Sequence, residues 1–97
     1  MRLTQAQVDI IQTLTARELG PDTRIWLFGS RTDDGARGGD IDLYVEPGSL
    51  PQTNLFLLRQ KLKRDLEKNL HHAVDLLINN GQTTAFMRLA KREGVPL

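Results

Sequence analysis

Three short apolar runs constrain this chain most: Arg24–Phe28, Asp40–Glu46 and Ala73–Ile78. Each has the length and the β-branched and aromatic content of a buried strand. Helical patterns separate them. Thr4, followed three residues later by Gln7, predicts a capping box. Val8, Ile11, Leu14 and Leu19 then form an apolar stripe that Gly20-Pro21 stops. Pro51 suits a first helical turn, and Leu55, Leu58, Leu62, Leu66 and Leu70 recur at helical spacing, predicting a long helix to about Asn69. After the turn Asn79-Asn80-Gly81, a last helix is expected from Gln82 to Arg92. Phe86, Leu89 and Ala90 share one of its faces, and Gly94 and Pro96 end it. Residues 31–39 are polar and glycine-rich, suited to a weak helical turn or two and a loop. The order is α-β-α-β-α-β-α. Strands alternating with helices predict an α/β (α+β) domain of two or three layers, with a small mixed sheet of about three strands.

The chain has 97 residues, no repeat and no linker, so one domain spanning 1–97 is expected. Thirteen Lys and Arg against twelve Asp and Glu give a formal charge of +1, which offers no argument for direct nucleic-acid binding. The absence of cysteine excludes disulfides, thiolate metal sites and cysteine nucleophiles. No run approaches the length of a membrane span, and the opening MRLTQAQVDI lacks a signal peptide's apolar block. A cytoplasmic protein without membrane contact is expected.

Chemistry-bearing residues sit at the strands. In a strand, residues i and i+2 share a face. Asp40 and Asp42 are therefore expected side by side, with Ile41 and Leu43 turned to the core. Two carboxylates that close repel, and a divalent cation between them relieves the cost; hard oxygen ligands suit Mg²⁺ or Mn²⁺. Asp75 interrupts the apolar run Val74–Ile78, and a buried carboxylate is costly unless paired, hydrogen-bonded or metal-bound. If the third strand lies beside the second, Asp75 joins the pair, and three carboxylates can hold two metal ions for phosphoryl or nucleotidyl transfer. Gly29-Ser30 directly after a strand offers backbone N–H groups and a hydroxyl to a phosphate, with Arg31 and Arg37 near in sequence to add charge. Taken singly, Gly-Ser is usually a turn, Asp-x-Asp a solvated loop edge, and a strand Asp a cap for neighbouring backbone. Their conjunction is what points to an NTP substrate.

Leu27-Phe-Gly-Ser-Arg31, the nine residues from Arg31 to Gly39, Asp40-Ile-Asp-Leu43 and Val74-Asp-Leu76 together resemble the nucleotidyltransferase superfamily of DNA polymerase β and kanamycin nucleotidyltransferase. At this length the chain is similar to its minimal, stand-alone members. Gly39 departs from the pattern, since many relatives carry Ser there. The resemblance implies an enzyme that moves a nucleoside monophosphate from ATP or another NTP to an acceptor hydroxyl. It implies that Gly29 and Ser30, with Arg31, hold the phosphates. Asp40 and Asp42 would bind two Mg²⁺ ions, and Asp75 would bind one and help deprotonate or orient the acceptor. It further implies a HEPN-type helical partner, which such antitoxins adenylylate, and a homo- or hetero-oligomer. Transfer to a small molecule such as an aminoglycoside is the alternative within the enzyme class. A non-catalytic binding module that neutralises its partner by contact is the alternative outside it. The short length independently suggests that the acceptor is a protein or that another subunit completes its site.

Other features read as structural. His71-His72 suits a solvent-facing helix end better than a zinc site. Arg59, Lys61, Lys63, Arg64 and Lys68 interleave with Asp65 and Glu67, as on a solvated helix face. Trp26 and the leucine stripe read as core. Tyr44 suits either the core or a nucleotide contact.

Overall fold

The computed structural model describes residues 3–29, 40–52 and 54–97. Its elements run α1 (Gln5–Leu19), β1 (Arg24–Phe28), β2 (Ile41–Glu46), α2 (Leu55–Leu70), β3 (Val74–Ile78), α3 (Ala85–Glu93) and β4 (Val95–Pro96). The sheet has four strands in the order β3-β2-β1-β4. β1 pairs antiparallel with β2 and with β4, and β2 pairs parallel with β3, so the sheet is mixed as expected. The expected helical turn in 31–39 lies outside the described residues.

Local chemistry sets the helix ends. The capping box forms: Gln7 N–H donates to Thr4 Oγ1 at 3.1 Å, and Thr4 N–H donates to Gln7 Oε1 at 2.8 Å. α2 starts at Leu55 rather than near Pro51, because the Asn54 side chain accepts from the N–H groups of Phe56 and Leu57. His71 closes α2 in the left-handed region, φ 57°, and is exposed. α3 starts three residues later than expected. The Asn79 and Asn80 side chains extend the turn by accepting from Gly81 and Gln82 N–H, and Thr84 caps the helix by accepting from Met87 N–H.

β4 is not expected from the sequence, in which Gly94 and Pro96 only end the last helix. Two residues carry no periodicity, so only tertiary pairing reveals the strand. Val95 and Pro96 pair with Leu27 and Trp26, and Leu97 N–H donates to Ile25 O at 3.0 Å. A side chain at Gly94 would collide with the carbonyl oxygens of Ala90 and Leu27, which explains the glycine between α3 and β4. Pro96 is tolerated because β4 is an edge strand.

The sheet has two unlike faces. On one, Ile25, Leu27, Ile41, Leu43, Val45, Val74, Leu76 and Ile78 pack with Ile11 and Leu14 of α1 and with Leu62, Leu66 and Leu70 of α2. On the other, Trp26 and Tyr44 pack with Met87 and Ala90 of α3, flanked by Phe28 and Leu77. Tyr44 is fully buried and stacks on Trp26 with ring centroids 5.5 Å apart, so it belongs to the core. The stripe expected to bury α3, Phe86, Leu89 and Ala90, is rotated. Met87 and Ala90 face inward, whereas Phe86 and Leu89 are exposed.

Candidate active site

The paired strands assemble the site. Phe28, the last residue of β1, lies opposite Asp42, and on the other side Asp42 lies opposite Asp75 of β3. Neighbouring strands are about 4.8 Å apart. Register therefore places the two carboxylate-bearing residues side by side, on the α3 face of the sheet. Both line a cavity of about 350 Å³, with Arg59, Phe28, Leu76, Leu77 and Phe86.

The alternation argument holds where it has a strand to act on. Ile41 and Leu43 are fully buried toward α1 and α2, and Asp42 is half-buried on the opposite face. Asp75 corrects one premise. It is exposed rather than buried, because α3, nine residues long, leaves this corner of the sheet open. Its environment therefore does not demand a partner on grounds of burial alone. The proximity of Asp42 does raise a repulsion between two carboxylates.

Asp40 is exposed, precedes the first ladder pair Ile41–Val74, and does not line the cavity. Among the described residues no group of three acidic or histidine side chains stands ready to hold a metal. The pleat fixes side-chain direction only within the ladder, and residue 40 lies outside it. Asp42 and Asp75 nevertheless suit a hard divalent cation by donor chemistry, since both are carboxylate residues, paired in register, that line one cavity. Ser30, Arg31 and Arg37 lie outside the described residues.

Gly29 acquires a reason. It follows β1 with φ 80°, and a Cβ there would run into the carboxylate of Asp42. The glycine thus lets the chain turn tightly past one of the site carboxylates.

Arg59 is the residue that the sequence reading placed elsewhere, on a solvated helix face. It sits in the first turns of α2, and its Nε donates to Leu76 O at 2.7 Å on the outer edge of β3. Its Nη1 donates to Gln60 Oε1 at 3.0 Å. The guanidinium is thereby fixed beside the residue that follows Asp75. Only the interleaving of charges was visible in sequence, and that pattern carries no information on which arginine turns toward a strand edge.

The opposite end of β2 is organised differently. Tyr44 Oη donates to Glu46 Oε2 at 2.7 Å, and Asn79 Nδ2 donates to Tyr44 Oη at 3.0 Å. Burial, aided by Glu46, raises the Tyr44 pKa above 10.0 against the opposing pull of the Asn79 hydrogen bond. Lys91 Nζ faces Glu46 at 3.4 Å and lies 5.1 Å from the centre of a Trp26 ring. This network ties α3 to the sheet.

Known structures share this arrangement of elements. A candidate minimal nucleotidyltransferase superposes with a TM-score of 0.73 at 27% identity, covering 96% of this chain and 91% of that one. The chain has the minimal nucleotidyltransferase fold. A chain from the complex of a tri-AMPylated Shewanella oneidensis HEPN toxin with MNT antitoxin gives a TM-score of 0.71 at 23% identity, covering 97% of this chain and 71% of that one. A toxin–antitoxin complex with AMP-PNP gives 0.70 at 23% identity, with 97% and 72% covered. No family profile and no curated protein matches the chain. Among the described residues no helix is long and apolar enough to cross a membrane.

Proposed function

We propose that this chain is a nucleotidyltransferase that moves AMP from ATP to a hydroxyl of a HEPN-type helical protein, and so acts as its antitoxin. One observation carries the reading: Asp42 and Asp75 stand in register at the open corner of a sheet that has the minimal nucleotidyltransferase fold. The acceptor class and the nucleotide are supported by the similar chains that occur with an AMPylated HEPN toxin and with AMP-PNP.

In the reaction, the acceptor oxygen forms a bond to the α-phosphorus and the bond to pyrophosphate breaks. Asp75 orients the hydroxyl and accepts its proton. Asp42, with Asp40 two residues before it, would hold Mg²⁺ together with Asp75. Such an ion, when bound, lowers the pKa of the acceptor and offsets charge on the leaving group. Gly29 and Ser30 hold the triphosphate through backbone N–H groups, with Arg31 as a charged contact.

The test is transfer of label from α-labelled ATP with Mg²⁺ to a purified HEPN-type protein. The wild-type chain labels the partner. Asp42→Asn with Asp75→Asn lowers the rate on the order of 10²–10⁴-fold, the range for removing groups that handle protons or charge in a transition state. A double variant that labels as fast as wild type sinks the assignment of the site. Neutralisation of the partner by the double variant, with normal binding, would replace the enzyme with a non-catalytic antitoxin.

A further inference from the structure

The cavity that holds the two aspartates has an apolar wall. Phe86, in the first turn of α3, is 56% exposed although it is large and aromatic. Core packing does not explain it, because Met87 and Ala90 take the inward positions of α3. Nor is its ring loose. It meets Phe28 edge-to-face, with centroids 5.7 Å apart and an interplanar angle of 79°. Phe28 is in turn the register partner of Asp42. Asp75, Asp42, Phe28 and Phe86 thus form one continuous line across the open corner of the sheet, and all four line the same cavity. Its volume, about 350 Å³, lies within the range of small-ligand sites.

We propose that Phe86, braced by Phe28, is the platform on which the base of the nucleotide substrate stacks. This rests on the nucleotidyltransferase reading and adds to it the residue that receives the nucleoside. Every base presents a π-face, and an aromatic ring already held in place loses little freedom when a base covers it. The division of labour follows from the cavity's two ends. The carboxylate end serves the phosphates, and the aromatic end serves the base.

The experiment is titration calorimetry of the whole chain with two probes, ATP and inorganic tripolyphosphate, each with Mg²⁺. Tripolyphosphate has the phosphates and no base. Phe86→Ala weakens ATP about tenfold and leaves tripolyphosphate unchanged, whereas Phe86→Tyr retains ATP affinity. Thermal melts of the variants stay close to wild type, because the ring is exposed. Equal loss of both probes in Phe86→Ala, or unchanged ATP binding, overturns the platform. So does Phe86→Leu binding ATP as wild type does, since an apolar contact alone would then suffice. A wild-type chain that binds neither probe overturns the nucleotide reading as well, which separates the two failures.

Discussion

The two faces of the sheet are made by the same strands and do different work. Toward α1 and α2, alternate residues are all apolar and at most 6% exposed. Toward α3, the same strands carry Trp26, Asp42, Tyr44 and Asp75, and one nine-residue helix covers them in part. A face closed by two helices has no room for a substrate. A face closed by one short helix is anchored at one end, by Tyr44, Glu46, Asn79 and Lys91, and open at the other. The packed core and the candidate site are thus separated by a period of two along each strand.

Exchanging damage between the faces is the strongest way to break this comparison. Leu43 is fully buried between the sheet and the helices, and Leu43→Ala should cost about 2–5 kcal/mol in denaturant unfolding. Asp75→Asn, at an exposed position of the neighbouring strand, should leave the unfolding free energy within about 0.5 kcal/mol of wild type while nucleotidyl transfer collapses. If Asp75→Asn destabilises the chain as Leu43→Ala does, the separation is wrong.

Gly29 lies where the faces meet at the end of β1. Gly29→Ala places a methyl group against the Asp42 carboxylate in a backbone region that strains any side chain. The strain should cost about 1–2 kcal/mol. Displacement of the carboxylate should lower transfer more than tenfold, an effect of less than an ångström on a reacting geometry. Rate and melting temperature measured on the same variant decide the matter. A stability loss with an unchanged rate would mean that Asp42 need not sit where the glycine lets it.

Much of this was legible in the residues. The period of two turned Asp42 away from the buried Ile41 and Leu43, and Asp75 stood out in an apolar strand; that the two share one corner depends on the parallel pairing of β2 with β3. The capping box and the leucine stripe placed α1 and α2. Other features depended on contacts that no local pattern encodes. The two-residue β4 exists only by pairing with β1. The inward stripe of α3 is Met87 and Ala90, one helical step away from the larger Phe86 and Leu89, because Trp26 and Tyr44 leave space for those two. Asp40 precedes the ladder, so alternation does not set its direction. Arg59 reaches a strand edge 17 residues away, which charge patterning does not reveal.

The smallest effect concerns that edge, where α2 grips β3. Arg59 donates to Leu76 O, and Glu67 Oε2 accepts from Val74 N–H at 2.9 Å and from Lys63 Nζ at 2.8 Å. The Lys63 hydrogen bond, followed by the Val74 N–H, lowers the Glu67 pKa below its ordinary 4.5. A carboxylate whose folded pKa is depressed contributes stability above its unfolded pKa and loses it as pH falls through the folded value. Glu67→Gln retains an acceptor for Val74 but forfeits the charge, so it should cost about 0.5 kcal/mol or less at neutral pH. The difference between wild type and Glu67→Gln in thermal melts should hold constant down to about pH 5 and shrink below about 4.5. Transfer activity should not change with it, because Glu67 secures the N-terminal end of β3 from the outer edge while Asp75 projects into the cavity. A rate that falls together with this small stability difference would show that the edge of β3 and the open face are mechanically one unit, and that the two faces are less independent than their residues suggest.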